Sequence, residues 1–398
     1  MSLFANPLNK YKKRFLQAEN PNQDENESFS GKKKQISLHG SPITSILRNT
    51  QAKFGTELEL SPNPYEIFVG DYNLIEIQRL KEIWKEIEKT RKRHNWKQIR
   101  ILTLRLGGRC RGPLQDFDYM ASLFAKSFSD LTTLSVKGLD EKNDAKLGLC
   151  LISKIGRNLL KLKDLTLEFF PYSNVNECIK VLIMETLGNL VSLRYLDLSF
   201  SGSNTITSDE IDLLCEGINK KAPKLVSLTL DFGSCRNFND ECMEILGSKL
   251  CYKLSELSYL ELRLSINNFT NHGVMQLSNF LTFDLQKLQN LNIDLFHCEL
   301  VTPEGFVYLA EKIAQHLKNL EELSYAFGIQ LQPGTEDEED SEDDDEDNED
   351  DGVEKKSLYD LRIERETAYR NGIEEKLNKI LSYIPLNRLY LDSEVVLG

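Results

Sequence analysis

"LRYLDLSF" occupies Leu193 to Phe200. Its leucines follow the spacing L-x-x-L-x-L at Leu193, Leu196 and Leu198. The L-x-L core alternates apolar and polar residues, which predicts a short strand with one buried face. The same spacing returns at Ile99/Leu102/Leu104, Leu131/Leu134/Val136 and Leu162/Leu165/Leu167 on one side. On the other it returns at Leu225/Leu228/Leu230, Leu257/Leu260/Leu262, Leu288/Leu291/Ile293 and Leu320/Leu323/Tyr325. First positions are separated by 32, 31, 31, 32, 32, 31 and 32 residues. Unrelated apolar runs do not keep such a period, so the chain is a solenoid of stacked units.

Each unit has a second half. Helix caps fall in register at Thr207, Asn239, Thr270 and Thr302. Thr302-Pro303 sets a capping hydroxyl before a proline at the first helical position, and Thr207 with Glu210 fits a capping box. Apolar residues follow at helical spacing, as in Phe306, Leu309, Ile313 and Leu317. A single unit buries too little to fold alone, so stacking on both sides must stabilise it.

This pattern resembles the leucine-rich repeat family, in its ribonuclease-inhibitor-like class, over roughly Pro64 to Leu391. The resemblance implies an α/β horseshoe solenoid with a parallel concave sheet and convex helices. One departure stands out. The family places Asn or Cys soon after the strand, whereas here a third apolar residue intervenes at Phe200, Phe232, Leu264, Leu295 and Phe327. The polar position is delayed to Ser203, Cys235, Asn267 and Cys298, which predicts a longer strand and a displaced ladder.

The expected organisation has five parts. Residues 1–60 form a polar, basic tail, with Lys12-Lys13-Arg14 and Lys32-Lys33-Lys34. Residues 64–98 cap the solenoid with an edge strand near Glu66–Val69 and an amphipathic helix from Leu74 to Arg93. Residues 99–332 hold the repeats. Residues 333–356 form an acidic disordered loop, and residues 357–398 close the core with a helix and a strand at Leu386, Leu389 and Leu391. Leu358, Leu361 and Ile363 also fit another strand, although a helical extension is preferred.

The acidic segment dominates the charge. Glu336 to Asp351 holds fourteen carboxylates against a net charge of -13, so the rest of the chain is nearly neutral. It serves either to solubilise the chain or to capture a basic partner. Net acidity argues against general nucleic-acid binding. No stretch approaches the apolar length of a membrane span, and the N-terminus shows no apolar signal core. Eight cysteines without a CxxC pair read as reduced, buried thiols rather than a metal site. The expected location is the cytoplasm, with the nucleus as the alternative, and a single copy is expected.

No phosphate-binding loop, nucleophile elbow or HExxH motif is present, and the five histidines are scattered. No cofactor, metal or catalytic residue is expected. The informative residues are the polar positions of each strand core, which point away from the buried face. One stripe reads Thr103, Ser135, Thr166, Asp197, Thr229, Glu261, Asn292 and Ser324. The next reads Arg105, Lys137, Glu168, Ser199, Asp231, Arg263, Asp294 and Ala326. The candidate partner-binding set is Arg105, Lys137, Glu168, Asp197, Asp231, Glu261, Arg263 and Asp294. Its sign turns from basic to mainly acidic along the arc, which suits a protein partner with a basic segment. Few aromatics are expected there.

The function expected is a non-catalytic protein-interaction scaffold. Two alternatives come from resemblance. Repeats with an acidic segment are similar to Ran GTPase-activating proteins, although there the segment follows the repeats. Substrate receptors of ubiquitin ligases carry such repeats behind an adaptor-binding helical domain, for which Leu74 to Arg93 is too little.

Overall fold

The computed structural model describes residues 66–70, 75–76, 85, 100–107, 110–111, 114–139, 146–169, 171, 174–250, 253–285, 287–330, 358–384 and 386–396. The expected tail over 1–60 and acidic loop over 333–356 lie outside them.

Ten parallel strands form one open sheet. In order across it they are β1 (Glu66–Gly70), β3 (Ile101–Gly107), β5 (Thr133–Leu139), β6 (Asp164–Phe169) and β7 (Tyr195–Ser199). Then come β8 (Ser227–Asp231), β9 (Tyr259–Arg263), β10 (Asn290–Leu295), β11 (Glu322–Gln330) and β12 (Arg388–Val396). The helices that connect them are α1 (Leu114–Ser127), α2 (Lys146–Asn158), α3 (Asn176–Val181) and α4 (Ser208–Lys221). They continue as α5 (Asp240–Leu250), α6 (Asn271–Asp284), α7 (Pro303–His316) and α8 (Leu358–Leu381). The chain is thus an α/β solenoid in which neighbours in sequence are neighbours in space.

The period sets the register. Leu196 lies beside Leu228, and Leu228 beside Leu260, with Leu198, Leu230 and Leu262 as the next row. All six are buried, because each faces the helices on one side and a copy of itself on either flank. The third apolar position forms a further row. Phe169 and Phe200 stack at 5.2 Å between ring centroids, and Phe200 and Phe232 at 5.7 Å.

The delayed ladder is present. Cys235 Sγ donates to the Phe200 carbonyl at 3.3 Å and Cys298 Sγ to the Leu264 carbonyl at 3.3 Å. Asn267 Nδ2 donates to the Phe232 and Leu264 carbonyls at 2.9 and 2.8 Å. These side chains satisfy buried carbonyls that the sheet has left behind. The Ser203 hydroxyl lies 3.2 Å from Thr205 Oγ1. Just before each ladder residue the backbone turns left-handed, at Gly202, Ser234, Ile266 and His297, with φ of 74°, 59°, 58° and 54°.

Helices begin where the caps predict, immediately after Thr207, Asn239, Thr270 and Thr302. The Thr207 N–H donates to Glu210 Oε2 at 3.2 Å, supplying the capping-box contact back from the third helical residue. Caps also pass between units. Asp240, the first residue of α5, accepts from the Thr270 N–H at 2.6 Å and the Gly273 N–H at 3.1 Å. Asn271 repeats the device by accepting from the Thr302 N–H at 2.9 Å. The third helical residue is glycine in both receiving helices. A Cβ there would lie 2.5 Å from Asp240 Oδ1 at Gly273 and 2.4 Å from Asn271 Oδ1 at Gly305.

One local expectation changes. The helix expected from Leu74 cannot start there, because β2 (Ile75–Glu76) pairs in parallel with β4 (Cys110–Arg111). Pairing outweighs the helical period at that point, and of the remaining residues through Arg93 only Lys85 is described, as helical. The helix α3 also passes into a π-helical turn at Leu182–Thr186 and a 3-10 turn at Leu187–Asn189. Thr186 Oγ1 there donates to the Ile152 carbonyl at 2.8 Å. At the other end, Leu358–Ile363 is helical, as the first part of α8.

Candidate binding face

Strand alternation places every second residue on the face opposite the helices. The two polar stripes are columns in the register. Thr229 pairs with Glu261 and Asn292 with Glu261, while Asp231 pairs with Arg263 and Arg263 with Asp294. Arg105 and Lys137 share the second column by backbone register.

Over β5 and β6 the second column is internally paired. Lys137 Nζ meets Glu168 Oε2 of the next strand at 2.9 Å. Exposed pairs of this kind contribute little to stability, and this one leaves the second column nearly neutral over β5 and β6.

The centre is different. Glu261 is only 4% exposed although it stands on the outer face. Tyr259 Oη donates to its Oε2 at 2.8 Å, and Arg263 Nε to its Oε1 at 2.8 Å. Asn292 Nδ2 donates to Oε1 at 3.2 Å from one side and Thr229 Oγ1 to Oε2 at 3.4 Å from the other. Glu261 is therefore a saturated hub that fixes Arg263 and Tyr259.

Arg263 also reaches toward Asp231, Nη1 to Oδ2 at 3.9 Å. Asp231 accepts from Ser199 Oγ at 2.8 Å and from the Gly233 N–H at 3.0 Å. Asp294 accepts from the Phe296 N–H at 3.0 Å. Burial raises the carboxyls of Asp231 and Asp294 above the usual range, against the pull of these donors. Burial lowers the Arg263 guanidinium, but Glu261 and Asp231 outweigh it and raise it. Burial, and then Glu261, push the Tyr259 phenol up, so it stays a donor. Asp197 adds negative potential felt at Tyr259 and Arg263. Four carboxylates thus surround one guanidinium across β7–β10.

The structure brings Asp231, Glu261 and Arg263 into contact, places Asp197 and Asp294 on their flanks, and sets Lys137 with Glu168 apart on β5 and β6. The sequence reading missed Tyr259, and with it Tyr195, one column nearer the strand start. Both are half-buried on this face, so it is richer in aromatics than expected. Extending the alternation one step toward the N-terminus of each strand would have found them.

Other chemistry is limited. Cys235 and Cys298 are buried thiols that burial pushes up to about 12, so they are poor nucleophiles. Among the described residues, no group of His, Cys, Asp and Glu is arranged to hold a metal ion. Among them also, no helix is long and apolar enough to cross a membrane.

Parallel strands in leucine-defined register, backed by helices of the same period, make this a leucine-rich-repeat-like solenoid. No family model matches the chain, and no curated protein matches it. Among solved structures it is similar to the crystal structure of the Rad7 and Elc1 complex in yeast, at 11% identity and a TM-score of 0.31. That likeness covers 83% of this chain and 93% of the other.

Proposed function

We propose that this chain is a non-catalytic interaction scaffold of the ribonuclease-inhibitor-like class, which holds a protein partner on the outer face of its sheet. The observation that carries this reading is the cluster of carboxylates at Asp197, Asp231, Glu261 and Asp294 around the guanidinium of Arg263. Partly desolvated carboxylates with raised proton affinity are costly in the free protein. A lysine or arginine from a partner relieves that cost, so a basic segment is the chemistry the face fits. Tyr195 and Tyr259 supply flat, rigid contact area beside it.

The test is capture with the intact chain and with an Asp231→Lys, Asp294→Lys variant of unchanged circular dichroism. Bound proteins are identified by mass spectrometry and mapped by cross-linking. The variant is expected to lose the main partner, and the cross-links to fall on β7–β10. Unchanged capture, or cross-links confined to the helices, overturns the reading.

A further inference from the structure

One turn recurs between helix and strand. At 128–131, 159–162, 190–193, 222–225, 254–257 and 317–320 the N–H of the fourth residue donates to the carbonyl of the first, at 2.9 to 3.3 Å. Such a turn asks nothing apolar of its second residue, where proline is favoured. That residue is Ser129, Ser255 and Lys318 in three of them. In the consecutive turns before β6, β7 and β8 it is Leu160, Val191 and Pro223. Leu160 is 50% exposed, Val191 is 72% exposed, and Pro223 is exposed too. Proline suits a turn in its own right, but leucine and valine have no local reason to stand there. Isolated exposed apolar residues are ordinary, whereas these share one rim in adjacent units.

The same three turns are basic. Residues 159–163, 190–194 and 221–225 hold Lys161, Lys163, Arg194, Lys221 and Lys224, and no carboxylate. The four lysines are exposed and Arg194 is half-buried. Lys221 ends α4, where a cation complements the helix dipole, but the other four lie beyond the helices. Glu185 and Glu216 of the adjoining helical segments are matched by Arg157 at 2.7 Å and Lys220 at 2.5 Å. The sign turns on either side, because the third residue of the turn is Asp130 in the unit before and Glu256 in the unit after. These pair with Lys161 and Lys287. The rim is held rigid by the backbone. The Arg194 N–H donates to the Lys163 carbonyl and the Val226 N–H to the Arg194 carbonyl, both at 2.8 Å.

We propose that the rim formed by these three turns docks a short protein segment that is acidic and carries aliphatic or aromatic side chains. Its apolar side chains cover Leu160 and Val191, and its carboxylates meet the surrounding lysines and Arg194. Strand spacing sets neighbouring turns about 5 Å apart, so the three span about 10 Å, the length of about three residues of extended chain. A narrow segment fits between the flanking carboxylates. A flat anionic membrane meets Asp130 and Glu256 at the two ends of the ridge and is repelled there. The site lies at the strand starts and does not rest on the reading of the outer face.

The test is a library of random displayed peptides, selected on the full chain and depleted on a Leu160→Ser, Val191→Ser variant. Ser129 and Ser255 occupy the same turn position, so the variant is expected to keep its melting temperature. Peptides that recognise the outer face bind both proteins and are removed, which keeps the two sites apart. The survivors are expected to combine Asp or Glu with Leu, Ile or Phe. Once synthesised, they are expected to bind the serine variant about tenfold more weakly than the parent. A Lys161→Glu, Lys224→Glu variant is expected to weaken them by a similar factor, and added salt to weaken binding to the parent. That charge variant replaces the serine variant in the depletion should the latter fail to fold. An empty selection, or survivors that are neutral or basic, overturns the proposal. So does equal affinity for the parent and the charge variant. Vesicles of phosphatidylcholine and phosphatidylserine that bind the parent and not the serine variant overturn it in favour of a membrane.

Discussion

Glu261 and Arg263 stand two residues apart on one face of β9, and the Arg263 Nε and Nη2 both lie 2.8 Å from the same oxygen, Oε1 of Glu261. The pair is unequal in exposure, the carboxylate nearly closed off and the guanidinium about a third open. Removing the carboxylate therefore leaves Tyr259 and Asn292 without an acceptor, while Arg263 regains some water. Glu261→Ala is expected to cost about 1–3 kcal/mol, below the full penalty for a broken buried pair because Arg263 is partly solvated. Urea unfolding measures it, and a loss within error would show that the hub does not hold the face together.

Asp294 gives the opposite sign. Its folded carboxyl holds a proton more tightly than the unfolded one, because burial disfavours the charge. The folded state then binds more protons through the carboxylate range, and the ionised group detracts from stability above it. Asp294→Asn is expected to be more stable than the parent at neutral pH. The advantage should shrink as pH falls through the raised folded value toward that of a free aspartate. Parallel melts across that range decide it, and a gap that widens in acid refutes the assignment.

Ile266 is β-branched, 55% exposed and left-handed, with φ of 58°. The conformation is imposed by the column, since Gly202 and Ser234 take it too and the Ile266 N–H donates to the Phe296 carbonyl at 2.8 Å. A left-handed β-branched residue is strained by roughly 1–2 kcal/mol, and glycine removes that strain at some cost in unfolded-chain entropy. Ile266→Gly is expected to stabilise by about 0.5–1 kcal/mol. Calorimetry showing a lower melting temperature would mean that the side chain holds its turn in a way the backbone does not reveal.

Gly273 tests the link between helices. A methyl group there collides with the Asp240 carboxylate that caps the next helix. Gly273→Ala is expected to destabilise by about 1–2 kcal/mol, despite the better helix propensity of alanine, through the lost cap. The clash depends on the longer side chain, so in an Asp240→Ser background the same change should cost less. A cost equal in both backgrounds would place the effect elsewhere.

The leucine columns and the helix starts were legible because spacing alone fixes them, and neighbouring units enforce one register. The displaced ladder was legible for the same reason, as Cys235, Asn267 and Cys298 repeat at the unit length. Other features depend on what lies beside a residue, which spacing does not encode. Alternation assigns Glu261 to the open face, but Tyr259 and Arg263 fold over it and Thr229 and Asn292 close its sides. Nothing about isoleucine announces a left-handed turn; only alignment with Gly202 does. The short β2 pairs with β4 more than thirty residues on, and that pairing overrides a helical stripe read from Leu74. The π-helical turn has no signature in the residues of Leu182–Thr186 themselves.

The strongest prediction concerns cooperativity. Leu260 is fully buried, flanked by Leu228 on one strand and Leu291 on the other. A carboxylate there finds no partner, and its desolvation exceeds what one solenoid unit contributes. The units on either side depend on β9 for their ladder bonds and for the rows of leucine and phenylalanine, so they lose support together. Leu260→Asp is expected to cost more than about 4 kcal/mol. Hydrogen exchange should show protection falling in β8, β9 and β10 as one block, while β3 and β5 keep more of theirs. Protection lost only within β9 would mean that each unit stands by itself, contrary to a chain whose stability resides in the contacts between units.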